Sequence, residues 1–210
     1  MTLCPCDPMT ITMKKPANND HPINEFSRER WSPRAFSGNP VQTRLIASLL
    51  EAARWAPSAN NEQPWRFIIG FKGDDTWDKL FDTLVGWNQQ WAGDAPLLLL
   101  VVGQEHYTSN GKKNDWVAYD CGQAMAHITV EATRLGLYTH QMGGFSAEKA
   151  VELFEIPEGN KPLAVMAVGY YGNPETLPEE QKEREKASRE RKELKEFVFS
   201  GKFGEPSPII

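Results

Sequence analysis

The chain has 210 residues, of which 40% are hydrophobic, 10% aromatic and 24% charged, the composition of a soluble globular domain. Its 23 Lys and Arg against 28 Asp and Glu leave a net charge of −5, which gives no global reason to expect nucleic acid or an anionic membrane as a partner. The longest apolar run, Ala95–Val102, is interrupted by Pro96 and is far shorter than the roughly 20 residues of a membrane helix, and no basic-then-apolar leader opens the chain.

Residues 1–20 mix Pro, Asn and Thr without a periodic apolar pattern and read as a loosely held N-terminal arm; residues 21–210 read as a single domain. A short helix is expected from His21-Pro22 to about Arg30. Apolar residues at 41, 45, 46, 49, 50 and 53 form one helical face, which Pro57 stops. Arg66–Phe71 reads as a strand. A helix from about Asp74 to Trp87 would bury Trp77, Leu80, Phe81, Leu84 and Val85. Pro96–Val102 suits a strand covered on both faces. Val117, Cys121, Ala124, Met125, Ile128, Ala132 and Leu135 mark a long central helix ended by Gly136. Ser146 caps a further helix that Pro157 closes, and Leu163–Tyr171 is the last strong strand. Residues 178–195 are a charge run with little to bury, followed by an apolar tail, Phe197–Phe203, that lands on its own core or on a partner subunit. Helices around a few buried strands predict an α+β domain with a mixed central sheet.

Three segments carry possible chemistry. In Arg30-Trp31-Ser32-Pro33-Arg34, arginines four apart in a Pro-containing loop can converge on one anion, or can simply meet surface carboxylates. Pro57-Ser58-Ala59-Asn60-Asn61-Glu62-Gln63-Pro64 is dense in amides and hydroxyls and fenced by two prolines. It can offer fixed donors to a flat heterocycle, or satisfy its own turns. In Gln141-Met142-Gly143-Gly144-Phe145, paired glycines allow close backbone approach to a ligand, or make a tight turn. The three cysteines, at 4, 6 and 121, form neither a disulfide framework nor a metal-ligand set, and point to a reducing, cytoplasmic setting. G-x-S-x-G and phosphate-loop patterns do not occur.

Together these segments resemble the nitroreductase family of FMN-dependent oxidoreductases, over roughly residues 22 to 204. Glu51-Ala-Ala-Arg-Trp-Ala-Pro-Ser-Ala-Asn-Asn-Glu-Gln-Pro-Trp65 is similar to that family's E-A-A-x-x-A-P-S-x-x-N-x-Q-P-W signature, with R-x-S-x-R at 30–34 and G-G-F at 143–145 in support. The resemblance implies a nitroreductase-like homodimer with FMN at its interface and a C-terminal arm, about 176–210, packed on the partner. Arg30 and Ser32 would bind the flavin phosphate and ribityl chain, with Trp31 between them, and Arg34 would lie beside the pyrimidine edge. Pro57, Ser58, Ala59 and Asn61 would line the flavin from the neighbouring subunit, and Asn88 would hydrogen-bond the ring. Met142, Gly143 and Gly144 would lie above it, and Arg189 and Arg191 would close on the phosphate. Three departures bear on substrate preference. Trp31 stands where relatives carry a small or basic residue, Gly143 where some carry an acid, and Glu193 where a proline is usual. The implied reaction is ping-pong transfer from NAD(P)H through FMN to a small electron-poor acceptor (nitroaromatic, quinone or activated alkene), without an obligatory acid–base side chain. The alternatives are a narrower flavin chemistry (enone reduction, dehalogenation, flavin fragmentation) or a protein that stores FMN or senses redox state.

Overall fold

The computed structural model describes residues 13–210, so Cys4 and Cys6 lie outside the described residues. Seven helices are present among them: α1 (Glu25–Glu29), α2 (Thr43–Arg54), α3 (Asp75–Thr83), α4 (Gly86–Ala92), α5 (Val117–Arg134), α6 (Ala147–Leu153) and α7 (Glu179–Lys186). Four strands, β1 (Trp65–Phe71), β2 (Leu97–Gln104), β3 (Tyr138–Met142) and β4 (Asn160–Gly169), form one sheet in the order β1-β2-β4-β3. All three pairings are antiparallel, so the sheet is not the mixed one expected from sequence.

The sheet is covered on both faces, and the two-residue strand period decides which side chain enters which layer. From β2, Leu98, Leu100 and Val102 join Trp77, Leu80, Trp31 and Phe36 on one face. Leu97, Leu99 and Val101 join Ile46, Leu49, Met125 and Ile128 of α2 and α5 on the other. This double burial is why β2 reads as a continuous apolar run rather than an alternating one. Gly136, in the left-handed region at φ 73°, ends α5 and lets the Leu137 amide reach back to the Ala132 carbonyl at 2.8 Å.

Three elements depart from the sequence reading. The helix expected over 74–87 breaks at Leu84-Val85, and Val85 is exposed rather than buried. The break occurs because Leu84 bridges Phe145 and the Val85 amide donates to the Gly144 carbonyl at 3.1 Å, so tertiary pairing overrides helical continuity. β3 has no counterpart in the predicted elements: Tyr-Thr-His-Gln-Met carries two buried residues on an edge strand and no apolar run. The charge run holds α7, whose Gln181 and Glu185, one turn apart, are both buried.

Candidate functional site

After α1 the chain runs extended, and its side chains alternate. Trp31, Pro33 and Ala35 turn inward, whereas Arg30, Ser32 and Arg34 are more exposed. The inward residues fix the loop. Trp31 packs edge-on to Tyr138, with ring centroids 6.0 Å apart, and tilted against Tyr171 at 5.5 Å. The His140 Nδ1 lies 2.8 Å from the Pro33 carbonyl, tying the loop to β3. The buried Glu185 carboxylate accepts from the Arg34 amide at 3.1 and 3.0 Å and from the Ala35 amide at 3.2 Å.

The outward residues face the chain that follows α7. Arg30, Trp31, Ser32, Arg34, Arg189 and Arg191 line one cleft of about 210 Å³, closed on its other sides by Lys15, Arg184, Glu185, Ala187 and Ser188. Arg30 Nη1 donates to Ser32 Oγ at 3.1 Å. Arg189 Nη1 donates to the Arg28 carbonyl at 3.0 Å and Arg191 Nη1 to the Glu190 carbonyl at 2.7 Å. Arg184 is paired with Glu180 at 3.2 Å. By contrast, among the described residues no ion pair is made by Arg30, Arg34, Arg189 or Arg191, and the buried Nε of Arg34 has no hydrogen-bond partner. Burial lowers the pKa of Arg30, and the neighbouring Arg189 and Arg191 lower it further. Arg189 is lowered by burial and by Arg191. A cleft with this much uncompensated guanidinium charge can hold a multivalent anion.

The glycine stretch stands at the end of β3, three residues beyond His140. Met142 is a core residue, 2% exposed, so its side chain is not available to a ligand. A side chain at Gly143 would meet nothing within 4 Å, whereas one at Gly144 would come within 2.9 Å of both Asn88 Nδ2 and Val85 Cγ2. Asn88 Nδ2 donates to the Gly144 carbonyl at 2.9 Å, so Asn88 and the glycine pair are one unit. That unit exists because the 74–87 helix breaks.

The amide loop is separate. Its 3-10 turn at Ala59–Asn61 sits between α2 and β1, with Asn60, Asn61 and Gln63 in the left-handed region at φ 54°, 56° and 51°. Asparagine tolerates that region better than most residues. Ser58 Oγ accepts from the Gln63 amide at 3.0 Å, and Gln123 Nε2 donates to the Pro57 carbonyl at 3.4 Å. The Ala59 amide donates to Asp120 Oδ2 at 3.1 Å. Burial raises the Asp120 pKa, and the Ala59 hydrogen bond partly opposes this. Pro57, Ser58, Ala59 and Asn61 line no part of the arginine cleft. They lead into β1, and the cleft is tied to β3; these are the two outer strands, about 14 Å apart across three strand spacings.

Sequence reasoning missed four residues that shape these sites: Lys15, Asp120, His140 and Glu185. Asp120 sits next to Cys121 on the stripe of α5, and a polar residue at a core-facing helical position is a legible signal. Glu185 gives none in a run of like residues.

The nitroreductase family model matches residues 27–84 and 70–170. A crystal structure described as an oxidoreductase containing FMN is 34% identical and superposes with a TM-score of 0.86, covering 93% of this chain and 100% of that one. A nitroreductase family protein from Clostridium difficile 630 is 26% identical with a TM-score of 0.67, over 85% of this chain and 98% of that one. A Methanothermobacter thermautotrophicus protein named "Putative NADH dehydrogenase/NAD(P)H nitroreductase" is 32% identical over 152 residues, 70% of this chain and 76% of its own. With the family model matching well over half of its residues, the chain belongs to the nitroreductase family.

Proposed function

We propose that the protein is a homodimeric FMN-dependent oxidoreductase that takes reducing equivalents from NAD(P)H and delivers them to a small electron-poor acceptor. The observation that carries this reading is the arginine cleft: Arg30, Arg34, Arg189 and Arg191 make no ion pair among the described residues, and the buried Arg34 Nε is left unpartnered. A phosphate dianion supplies the missing charge and acceptor atoms.

On this reading Arg30, Ser32, Arg189 and Arg191 hold the phosphate end. Arg34 stands beside the pyrimidine edge, where a cation favours negative charge on the reduced ring. The open Gly143 backbone would face the ring, and the Asn88–Gly144 bond holds that stretch in place. FMN held there would supply two-electron redox chemistry between NAD(P)H and a nitroaromatic, quinone or activated alkene. Glu185 is not assigned as an acid or base, because its oxygens are engaged by the Arg34 and Ala35 amides.

Two features favour a site shared between subunits. The amide loop and the arginine cleft belong to opposite edges of one sheet, which suits a ligand held between the cleft of one chain and the loop of another. The tail also exposes Phe197 (56%), Phe203 (96%) and Ile209 (81%) without cover from its own chain. We therefore read 21–210 as one FMN-binding domain whose arm, about 176–210, reaches the partner beyond α7. α7 itself buries Gln181 and Glu185 on its own chain. The proposed setting is the cytoplasm, on the sparse cysteines; among the described residues no helix is long and apolar enough to cross a membrane.

Purified protein should be yellow, and anaerobic NADH or NADPH should bleach it within seconds. A colourless protein that takes up no added FMN overturns the flavin reading. A yellow protein that neither cofactor bleaches indicates storage or sensing rather than turnover.

A further inference from the structure

Lys15, a cation of the cleft, has no part in the function proposed above. Lys15 lies in the 13–17 segment, which reads from sequence as part of a loose arm. In the structure this segment is stitched down at several points. The Met13 carbonyl accepts from Trp31 Nε1 at 3.3 Å and from the Tyr138 hydroxyl at 3.2 Å. The Ala17 amide donates to the Arg28 carbonyl at 2.8 Å, and Arg189 Nη1 donates to the Lys15 carbonyl at 2.5 Å.

The Lys15 side chain reaches the same cleft as Arg30, Arg34 and Arg189. Its Nζ donates to the Glu185 and Ala187 carbonyls at 2.7 and 2.5 Å and sits 4.9 Å from the Trp31 ring centroid. An ammonium carries three N–H donors, so two carbonyls leave one unspent. Burial lowers its pKa, Arg189 and Arg34 add to that, and Glu185 opposes it. Six cations, of which Arg184 alone is ion-paired, thus line a cleft with a single lining carboxylate, Glu185, among the described residues. That arrangement is self-repelling until an anion enters.

We infer that Lys15 is a further phosphate-binding residue of the flavin site, carried there by an N-terminal strap, residues 13–17, that also orients Arg189. The inference rests on the flavin reading. The competing role is purely structural: a lysine capping the C-terminal carbonyls of α7. FMN and riboflavin separate the two roles, because they share the ring and the ribityl chain and differ only in the phosphate.

The experiment is fluorescence titration of full-length apoprotein with FMN and with riboflavin, on wild type, K15Q and K15R, with thermal melting of each apoprotein as a check on folding. K15Q is expected to weaken FMN about tenfold and to leave riboflavin affinity unchanged, with K15R recovering most of the loss. Equal loss for both flavins, or loss for neither, overturns the Lys15 assignment while the wild type still binds FMN. A wild type that binds neither flavin overturns the flavin reading and the Lys15 inference with it.

Discussion

Replacing Glu185 tests how the arginine loop is held. The carboxylate is 1% exposed, and its oxygens take the amides of Arg34 and Ala35 at 3.0–3.2 Å. In Glu185→Ala both amides lose their acceptor, at about 1–3 kcal/mol each where water cannot replace it. In Glu185→Gln one amide oxygen remains to serve them and the cost of burying a charge disappears, so stability should stay within about 1 kcal/mol of wild type. The two variants also differ from wild type in pH dependence. Burial raises the Glu185 pKa above its ordinary value, against the pull of the two amides and of Arg34 and Lys15. A carboxyl raised in the folded state takes up protons more readily than in the unfolded chain. Its contribution is therefore fully present below the ordinary carboxyl range and is lost as pH rises through the folded-state value. Urea unfolding of the apoprotein at several pH values measures both effects. The reasoning fails if Glu185→Ala unfolds at the wild-type midpoint, or if Glu185→Gln keeps the full wild-type decline with rising pH.

Arg30→Ala should loosen FMN by about 1.5–3 kcal/mol, the worth of a charged hydrogen bond, and fluorescence titration would read it; unchanged affinity removes Arg30 from the phosphate site. Burial lowers the His140 pKa from 6.5 to about 4 despite the Pro33 carbonyl. The unfolded chain therefore takes up a proton first as pH falls. Up to about 3 kcal/mol of stability present above pH 6.5 should drain away between 6.5 and 4, and His140→Asn should flatten that stretch of the unfolding curve. Gly172→Ala would put a Cβ 2.4 Å from the Phe36 carbonyl group. The forced separation should cost about 1–3 kcal/mol and lower the melting temperature, and an unchanged melting curve contradicts the packing described.

What could be read from sequence tracks which residues are apolar and how they repeat. α2, β1, β2, α5 and β4 each announce themselves through a period of 3.6 or a continuous apolar run. β3 and α7 do not, because their packing residues include Thr139, His140, Gln181 and Glu185, which hydropathy counts as solvent-facing. The break between α3 and α4 depends on a partner, Gly144-Phe145, some sixty residues on, which no local window contains. The site divides in the same way. The residues of the arginine cleft named from the signature motifs do share one cleft, as the alternation from Arg30 to Arg34 allows. Glu185 and His140 hold the motifs in place through backbone groups and leave no recurring spacing, whereas Asp120 falls on the buried stripe of α5.

The two neighbouring glycines have opposite freedoms. Gly144 is wedged against Val85 and Asn88, so any larger residue there must displace those side chains, and with Asn88 the hydrogen bond to the Gly144 carbonyl. Gly143 looks into open space with an ordinary backbone, so substitutions there leave the scaffold undisturbed. On the proposed function, selection can therefore alter what greets an incoming molecule by editing a single codon, while the packed glycine next door stays fixed.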